Sequence, residues 1–369
     1  LNPSYFTSPF LFSNKQFFNT MNRNFLFYIV GLFALLATQK TNAQDVHFSQ
    51  QYAAPLHINP AMTGLMQGDM RGSIIYRNQW ASAMTGAPYR TIYGSADVAL
   101  SGFGDYDRLA VGLMLYNDSG GEVAFQTNYI DLALAYNLAV GERAYLSLGL
   151  EGGVSQRGID LSNAQFGNQF DGNNYTPTIS SDENFETLSR WRANVAAGGM
   201  FYMGIGQRSN IFIGGGLYHF TNPDISFTGL ELDQVSSKIS IQTGGKAALG
   251  KQFDLLPTLY FLKQGAHNQL NVGTWGRYIF DRNRHTGLEK AFGVGMWSRF
   301  ANNVSSFGMD AIILGAKIDY NQFSAGLTYD ITASSLSLAN SGQGGMEIAV
   351  TYTAPLRERK QKTMECPKF

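Results

Sequence analysis

The stretch Ile130–Gly152, IDLALAYNLAVGERAYLSLGLEG, reads as two strands joined by a tight turn. Ile130, Leu132, Leu134 and Tyr136 alternate with Asp131, Ala133, Ala135 and Asn137; Leu146, Leu148 and Leu150 alternate with Ser147, Gly149 and Glu151. A period of two places successive side chains on opposite faces of a strand, here one apolar face and one small or polar face. The same alternation recurs in Phe323–Asp330 and again in Met346–Tyr352. Followed along the chain, it predicts strands at 70–78, 89–100, 108–118, 125–138, 143–157, 191–204, 209–222, 237–249, 255–264, 268–280, 290–300, 307–319, 321–331 and 344–356.

Alternation suits a soluble sandwich as well as a barrel. Three features favour a barrel in a membrane. Aromatic residues fall near strand ends (Tyr136, Tyr278, Phe280, Phe300, Tyr352), where interfacial girdles form. The non-apolar faces are rich in Gly and Ala, and no helical period of ordinary length follows residue 44. An open sheet with so apolar an outer face would also leave its edges unsatisfied, which closure removes. The reading is an all-β, transmembrane antiparallel β-barrel of about fourteen strands, an even number as bacterial barrels require. Long connections at 158–190, 223–236 and 332–343 alternate with short turns at 139–142, 205–208 and 320, which, with a periplasmic mature N-terminus, predicts an external loop face and a periplasmic turn face. The connection at 281–289 is longer than its place on the turn face predicts.

The chain of 369 residues carries 27 basic and 27 acidic side chains. That balance argues against a nucleic-acid partner. Charged residues make up 15%, below the roughly 25% of soluble proteins, while 26 Phe, 19 Tyr and 41 Gly are high counts. Met21–Asn24, an apolar run from Phe25 to Ala37, and Thr41-Asn42-Ala43 before Gln44 have the layout of a secretory signal peptide. The run is shorter than the roughly 20 residues of a spanning helix. The predicted organisation is therefore upstream sequence without a fold role at 1–20, a signal peptide at 21–43, the barrel at 44–356 with an N-terminal non-strand segment at 44–69, and a basic periplasmic tail at 357–369. Export and a barrel together predict the outer membrane of a Gram-negative cell, with its lipids as one partner. The single cysteine, Cys366, permits no internal disulfide.

Catalytic and cofactor signatures are missing from the sequence. The histidines (His47, His57, His219, His267, His285) lack metal-ligand spacing and are expected at solvent-exposed or turn positions. No nucleophile elbow or phosphate-binding glycine loop occurs, so the chain is read as a non-enzyme without cofactor or metal. Asp131, Glu151, Lys238, Arg277, Arg299, Asp330 and Glu347 fall on the inward face, where cross-strand pairing or pore lining is expected. The long polar loop reads as a solvated surface or as a contact for a secreted partner through Asp171, Tyr175 and Glu183. Its acidic residues lack the spacing of a calcium loop. The tail, with Arg357, Arg359, Lys360 and Cys366, reads as solvated chain or as a docking peptide for a periplasmic protein.

The segment Gln44–Thr91 holds the most distinctive local sequences: FSQQY at 48–52, INPAMTG at 58–64 and YRNQW at 76–80. An FSQY-like run, an NPA-small-Gly turn and an R-x-Q-W element followed by Gly86, Pro88 and Thr91 resemble the opening of the PorP/SprF family of type IX secretion and gliding proteins. VGLMLYNDSGGEVAFQTNYIDLALAY at 111–136, GLTYDIT at 326–332 and the closing GGMEI are similar to later family blocks. Where the family usually shows Gly-Ser-His-Glu, this chain has Gly344-Gly345-Met346-Glu347, and the connection at 158–190 is long. The resemblance implies a non-enzymatic outer-membrane protein that works with a periplasmic lipoprotein ring or a peptidoglycan-anchoring protein, or with a secreted adhesin or other cell-surface protein. A general or substrate-specific porin is the alternative. The family-motif positions are Phe48, Ser49, Gln50, Tyr52, Asn59, Pro60, Ala61, Gly64, Arg77, Gln79, Trp80, Pro88, Thr91, Tyr329, Asp330 and Glu347. Residues 44–69 carry Pro55, Pro60 and Gly64 and lack strand alternation, so they should lie at the periplasmic mouth or fold into the lumen, with Asn59-Pro60 fixing a turn. Phe48, Tyr52 and Trp80 would then be packing anchors, and Arg77 an interior charge in need of a partner.

Overall fold

Fourteen segments of alternating polarity pair antiparallel into a closed barrel. The computed structural model describes residues 45–355 except 82–83, 85–86, 102–106, 122, 163, 207, 230–232, 284–287 and 303–306. The expected signal peptide and the tail with Arg357, Arg359, Lys360 and Cys366 lie outside the described residues, as do Gly86 and His285. In chain order the strands are β1 (Met70–Gln79), β2 (Tyr89–Ser101), β3 (Arg108–Gly120), β4 (Phe125–Gly141), β5 (Ala144–Gly158), β6 (Ser189–Ile205), β7 (Ser209–Tyr218), β8 (Lys238–Leu249), β9 (Phe253–Gln264), β10 (His267–Arg282), β11 (Glu289–Asn302), β12 (Phe307–Tyr320), β13 (Phe323–Thr332) and β14 (Gln343–Ala354). β1 meets β14 in an unbroken register from Met70↔Ala354 to Gln79↔Gly345, which closes the barrel and leaves no edge.

Several strand ends differ from the sequence expectation by a few residues. β7 stops at Tyr218 instead of 222, because His219 and Asn222 adopt left-handed backbone angles (φ 54 and 44) that break the ladder. β10 and β11 reach Arg282 and Glu289, so the connection that looked long on the turn face shrinks to 283–288. The last strand ends at Ala354, two residues before the predicted 356.

The alternation decides what faces where. Leu132, Leu134, Leu148, Leu150, Ile74 and Ile348 are all exposed on the outer wall, whereas their strand neighbours Asp131, Ala133, Ser147, Ser73, Glu347 and Ala349 are buried. Exposed Tyr136, Phe253, Tyr278, Phe280, Phe292, Tyr320 and Phe323 gather toward the end where the connections are short, here the turn end. Tyr89, Trp191 and Phe307 are exposed at the opposite, loop end. An apolar band between aromatic belts is the outer-membrane barrel pattern. Leu132, 61% exposed at the middle of β4, is thus a lipid-facing position. Leu132→Arg is expected to destabilise the barrel by about 2–4 kcal/mol in urea titrations in vesicles. Gln126→Arg, outward at the loop-end rim, should cost about 1 kcal/mol or less.

The lumen is filled from two sources. Against β9–β12, Leu256, Trp275, Trp297 and Ile313 form a buried cluster that also takes in Tyr52. Against β3–β7, glycines on the inward face (Gly112, Gly149, Gly198, Gly214 and Gly216) leave room where residues 45–69 pass. This segment is a chain of single turns: a 3-10 turn at Gln51–Ala53, α1 (Pro55–Ile58) and a second 3-10 turn at Pro60–Met62. Pro55 and Pro60 each sit at the start of a turn, where a missing N–H costs nothing and the fixed φ suits the helix. Phe48 to Met66 are buried without a break except for half-buried Tyr52.

Candidate functional site

The chain enters the lumen from the loop end and leaves at the turn end, where Asp69 N donates to the Ala354 carbonyl at 2.9 Å. Three sets of anchors hold it.

The upper middle set is built on Arg77. Register places Arg77 of β1 directly opposite Glu347 of β14, on the inward face of both strands. Arg77 Nη1 donates to Glu347 Oε2 at 3.1 Å and to Ser49 Oγ at 2.7 Å; Nη2 donates to Asp330 Oδ2 at 2.9 Å and to Gln79 Oε1 at 3.3 Å. Arg299 of β11 reaches the same Asp330 oxygen at 2.7 Å and Asp310 at 2.7 Å. The segment completes this knot: Ser49 N and Gln50 N donate to the two Glu347 oxygens at 2.8 and 2.7 Å, and Ser49 Oγ to Asp330 at 2.6 Å. Gln50 Nε2 donates to the Glu347 carbonyl at 3.0 Å, and Tyr52 OH to Gln50 Oε1 at 2.7 Å. Burial makes these charge-assisted bonds strong and their loss costly. Phe48 packs edge-on against Tyr93 and His57, both at 5.4 Å, and Tyr52 against Trp275 at 5.9 Å.

The elbow Asn59–Gly64 forms the set nearer the turn end. Asn59 Oδ1 accepts from Ala61 N at 2.9 Å and its Nδ2 donates to the Gly199 carbonyl at 3.0 Å, so one side chain both caps the turn and ties it to β6. Ser147 donates to the Ala61 carbonyl at 2.6 Å, and Asn137 to the Thr63 carbonyl at 3.2 Å. Gly64, at φ +73, turns the chain away, and its N–H is received by Asp97 at 2.8 Å. Asp97 is itself held by Arg71 in a two-pronged pair at 2.9 Å on each oxygen. The approach is close: a Cβ on Gly149 would stand 2.4 Å from Ala61 N, and one on Gly198 would stand 2.0 Å from Asn59 Oδ1.

The third set lies at the loop end. Asp45 N donates to Gln264 Oε1 at 2.7 Å, while its carboxylate meets Lys238 at 3.0 Å and His219 at 2.8 Å. Solvent-exposed or turn positions are expected of the histidines; His219 does open a turn, its carbonyl accepting from Asn222 N at 3.0 Å, but neither it nor His57 is exposed. His57 and His219 are buried, because the segment turns the barrel interior into a polar core that needs donors and acceptors. His57 Nε2 lies 2.9 Å from the Val46 carbonyl.

Of the other predicted positions, Pro60 and Ala61 are buried in the elbow, and Thr91 Oγ1 donates to Asp118 at 2.6 Å beside the knot. Tyr329 points outward, and Pro88 is half-buried at the loop end. Trp80 does not join Phe48 and Tyr52: at φ 58 it turns out of β1 and packs on Tyr89 at 5.6 Å. Asp171 and Glu183 are exposed in the long loop, and Tyr175 is half-buried, its OH bonded to Gln169 at 2.9 Å. The backbone N–H groups of Asn174 and Asn173 hold the Asp171 carboxyl below the usual carboxylate range.

Sequence reasoning passed over Arg71 and Asp97, and the acids around Arg277, which reaches Asp254 at 3.1 Å, Asp319 at 3.0 Å and Glu289. The signal was available: each sits in inward parity on its strand. Among the described residues no group of three or more His, Cys, Asp or Glu is placed to hold a metal ion. What the arrangement does is mechanical. It fixes a segment of the chain inside the barrel through buried backbone hydrogen bonds and paired charges.

Solved structures with a similar architecture include the Ralstonia pickettii toluene transporter TbuX (8% identity, TM-score 0.45, 82% of this chain and 94% of that one). A Pseudomonas aeruginosa FadL homologue is similar at 10% identity and TM-score 0.43, over 80% and 92% of the two chains. The CymD monoaromatic hydrocarbon channel is similar at 11% identity and TM-score 0.44, over 82% and 93%. No curated protein matches the chain. Residues 40–352, a span that includes the lumen segment and reaches into the closing strand, match the family described as type IX secretion system membrane protein PorP/SprF. With FSQQY and NPAMTG in one lumen assembly with Arg77 of YRNQW and the closing strand, and with that match over most of its length, the chain belongs to the PorP/SprF family of type IX secretion system membrane proteins.

Proposed function

We propose that this protein is a non-enzymatic interaction platform of the type IX apparatus in the outer membrane, an anchor between the secretion machinery and a secreted cell-surface protein. The observation that carries this reading is the lumen segment, whose backbone is bonded to Glu347, Asp97 and Gln264 along the length of the barrel. A filled lumen suits a partner-holding body and disfavours the alternative, a general or substrate-specific porin.

Short turns face the periplasm and long loops the exterior in such barrels. On that orientation the loop with Asp171, Tyr175 and Glu183 is the surface for the secreted adhesin. β14 delivers the chain at Ala354 to the turn end, so the basic residues Arg357, Arg359 and Lys360, with Cys366, would meet a periplasmic lipoprotein ring or peptidoglycan-anchoring protein.

Replacing residues 164–186 by a short Gly-Ser linker is expected to remove one surface protein from the cell and from co-purified outer-membrane complexes, with solute permeability unchanged. Normal surface display, together with single-channel conductance of the unaltered protein in planar bilayers, would favour the porin instead.

A further inference from the structure

Asp45, at the start of the lumen segment, holds the base of a loop-end connection from inside the barrel. Its Oδ2 lies 2.8 Å from His219 Nε2 and 3.0 Å from Lys238 Nζ. His219 directly follows β7 and Lys238 opens β8, so one carboxylate oxygen meets both feet of the β7–β8 connection. The Asp45 main chain adds a third tie: its N–H goes to Gln264 Oε1 at 2.7 Å, and Gln264 Nε2 donates to the Ser236 carbonyl at 3.3 Å. His219, Lys238 and Gln264 are all buried. His219 also keeps a left-handed φ of 54, an angle that a non-glycine residue holds only where its surroundings impose it.

From those feet the two described legs, 219–229 and 233–237, are stitched together. Ile225 N donates to the Asp233 carbonyl at 2.7 Å and Val235 N to the Pro223 carbonyl at 3.0 Å, and Ile225 and Val235 are buried. Farther out, the Phe227 carbonyl accepts from Glu186 N at 2.9 Å and Thr187 N at 3.3 Å, and Arg190 spans Glu186 at 2.9 Å and Asp224 at 3.3 Å. The β5–β6 and β7–β8 connections are thus bonded to each other, and the second stands on Asp45. The connection between β13 and β14 is separate: its described backbone bonds run to Asp310, to Thr332 and within itself.

We propose that Asp45 is a positioning residue through which the seated lumen segment fixes the loop-end surface made by the β5–β6 and β7–β8 connections. Seating of the segment and order of that surface are then one equilibrium. With the segment in place, His219 and Lys238 share an acceptor and the legs have a fixed base. With Asp45 withdrawn, both feet lose that acceptor, and the bonds at Phe227 lose their support. Such coupling is reciprocal: whatever orders the two connections from outside also favours the seated segment. The inference concerns the order of the connections and stands whichever partner they meet.

Amide hydrogen exchange on the full barrel in detergent, read by mass spectrometry, tests it. In Asp45→Ala the amides of Glu186, Thr187, Ile225 and Val235 are expected to exchange about ten- to a hundredfold faster, as the loss of hydrogen bonds to a charged group implies. Those of Asn340 and Gly342, in the separate connection, should keep the parent rate. Asp45→Ala also strands the buried Lys238, so the double variant Asp45→Ala, Lys238→Met removes that charge and should retain most of the acceleration. Unchanged rates in Asp45→Ala, an acceleration that extends equally to Asn340 and Gly342, or parent rates in the double variant would each overturn the proposal.

Discussion

Arg77→Met is expected to destabilise the barrel by about 3–5 kcal/mol, because it leaves a buried carboxylate without its counter-charge. The orphan is Glu347, fully buried and left with only the N–H groups of Ser49 and Gln50. Asp330 keeps Arg299 at 2.7 Å and is less affected. Urea unfolding in vesicles, read by tryptophan fluorescence and by heat-modifiable gel migration, measures the loss. The double variant Arg77→Met, Glu347→Gln should recover much of it, since the amide oxygen still accepts from the segment and no charge is stranded. A single variant as stable as the parent would mean that the knot does not hold the barrel shut at the β1–β14 closure.

Gly149→Val should open the lumen. The strand itself accepts valine, and the obstacle is the segment, because the Pro60–Ala61 backbone passes 2.4 Å from where a Cβ would stand. Overpacking of this kind costs about 1–3 kcal/mol or more, and expelling residues 45–69 relieves it. The variant barrel is expected to remain heat-modifiable, to conduct ions in planar bilayers, and to lose its N-terminal segment to added protease. Gly199→Val is the control: Gly199 faces outward, and a Cβ there meets only Leu148 Cδ2 at 3.7 Å and the Ser147 carbonyl at 3.9 Å. A folded Gly149→Val barrel that stays silent in bilayers would show that the segment is not what seals it.

Much of the fold was legible because a barrel is written in local terms. Period two, turn chemistry and loop parity are properties of adjacent residues, so the strands and the inward set from Asp131 to Glu347 could be read directly. The misplacements have one cause each. His219 interrupts β7 through a backbone angle that periodicity does not encode. Trp80 looked like a core anchor by its size, yet its left-handed φ turns it onto Tyr89 at the rim. His57 looked like a surface residue until the segment around it was placed inside the barrel.

The pairing of Arg77 with Glu347 spans 270 positions, and no local pattern carries such a distance. The sequence by itself determined the strands, their faces, the apolar outer wall and the motifs of the opening segment, since each depends on near neighbours and on the two-sided geometry of a strand. Only the tertiary structure decided which charges meet and that residues 45–69 run inside the barrel. Those outcomes depend on closure. Joining β1 to β14 sets the register around the whole ring, and the register chooses the partners.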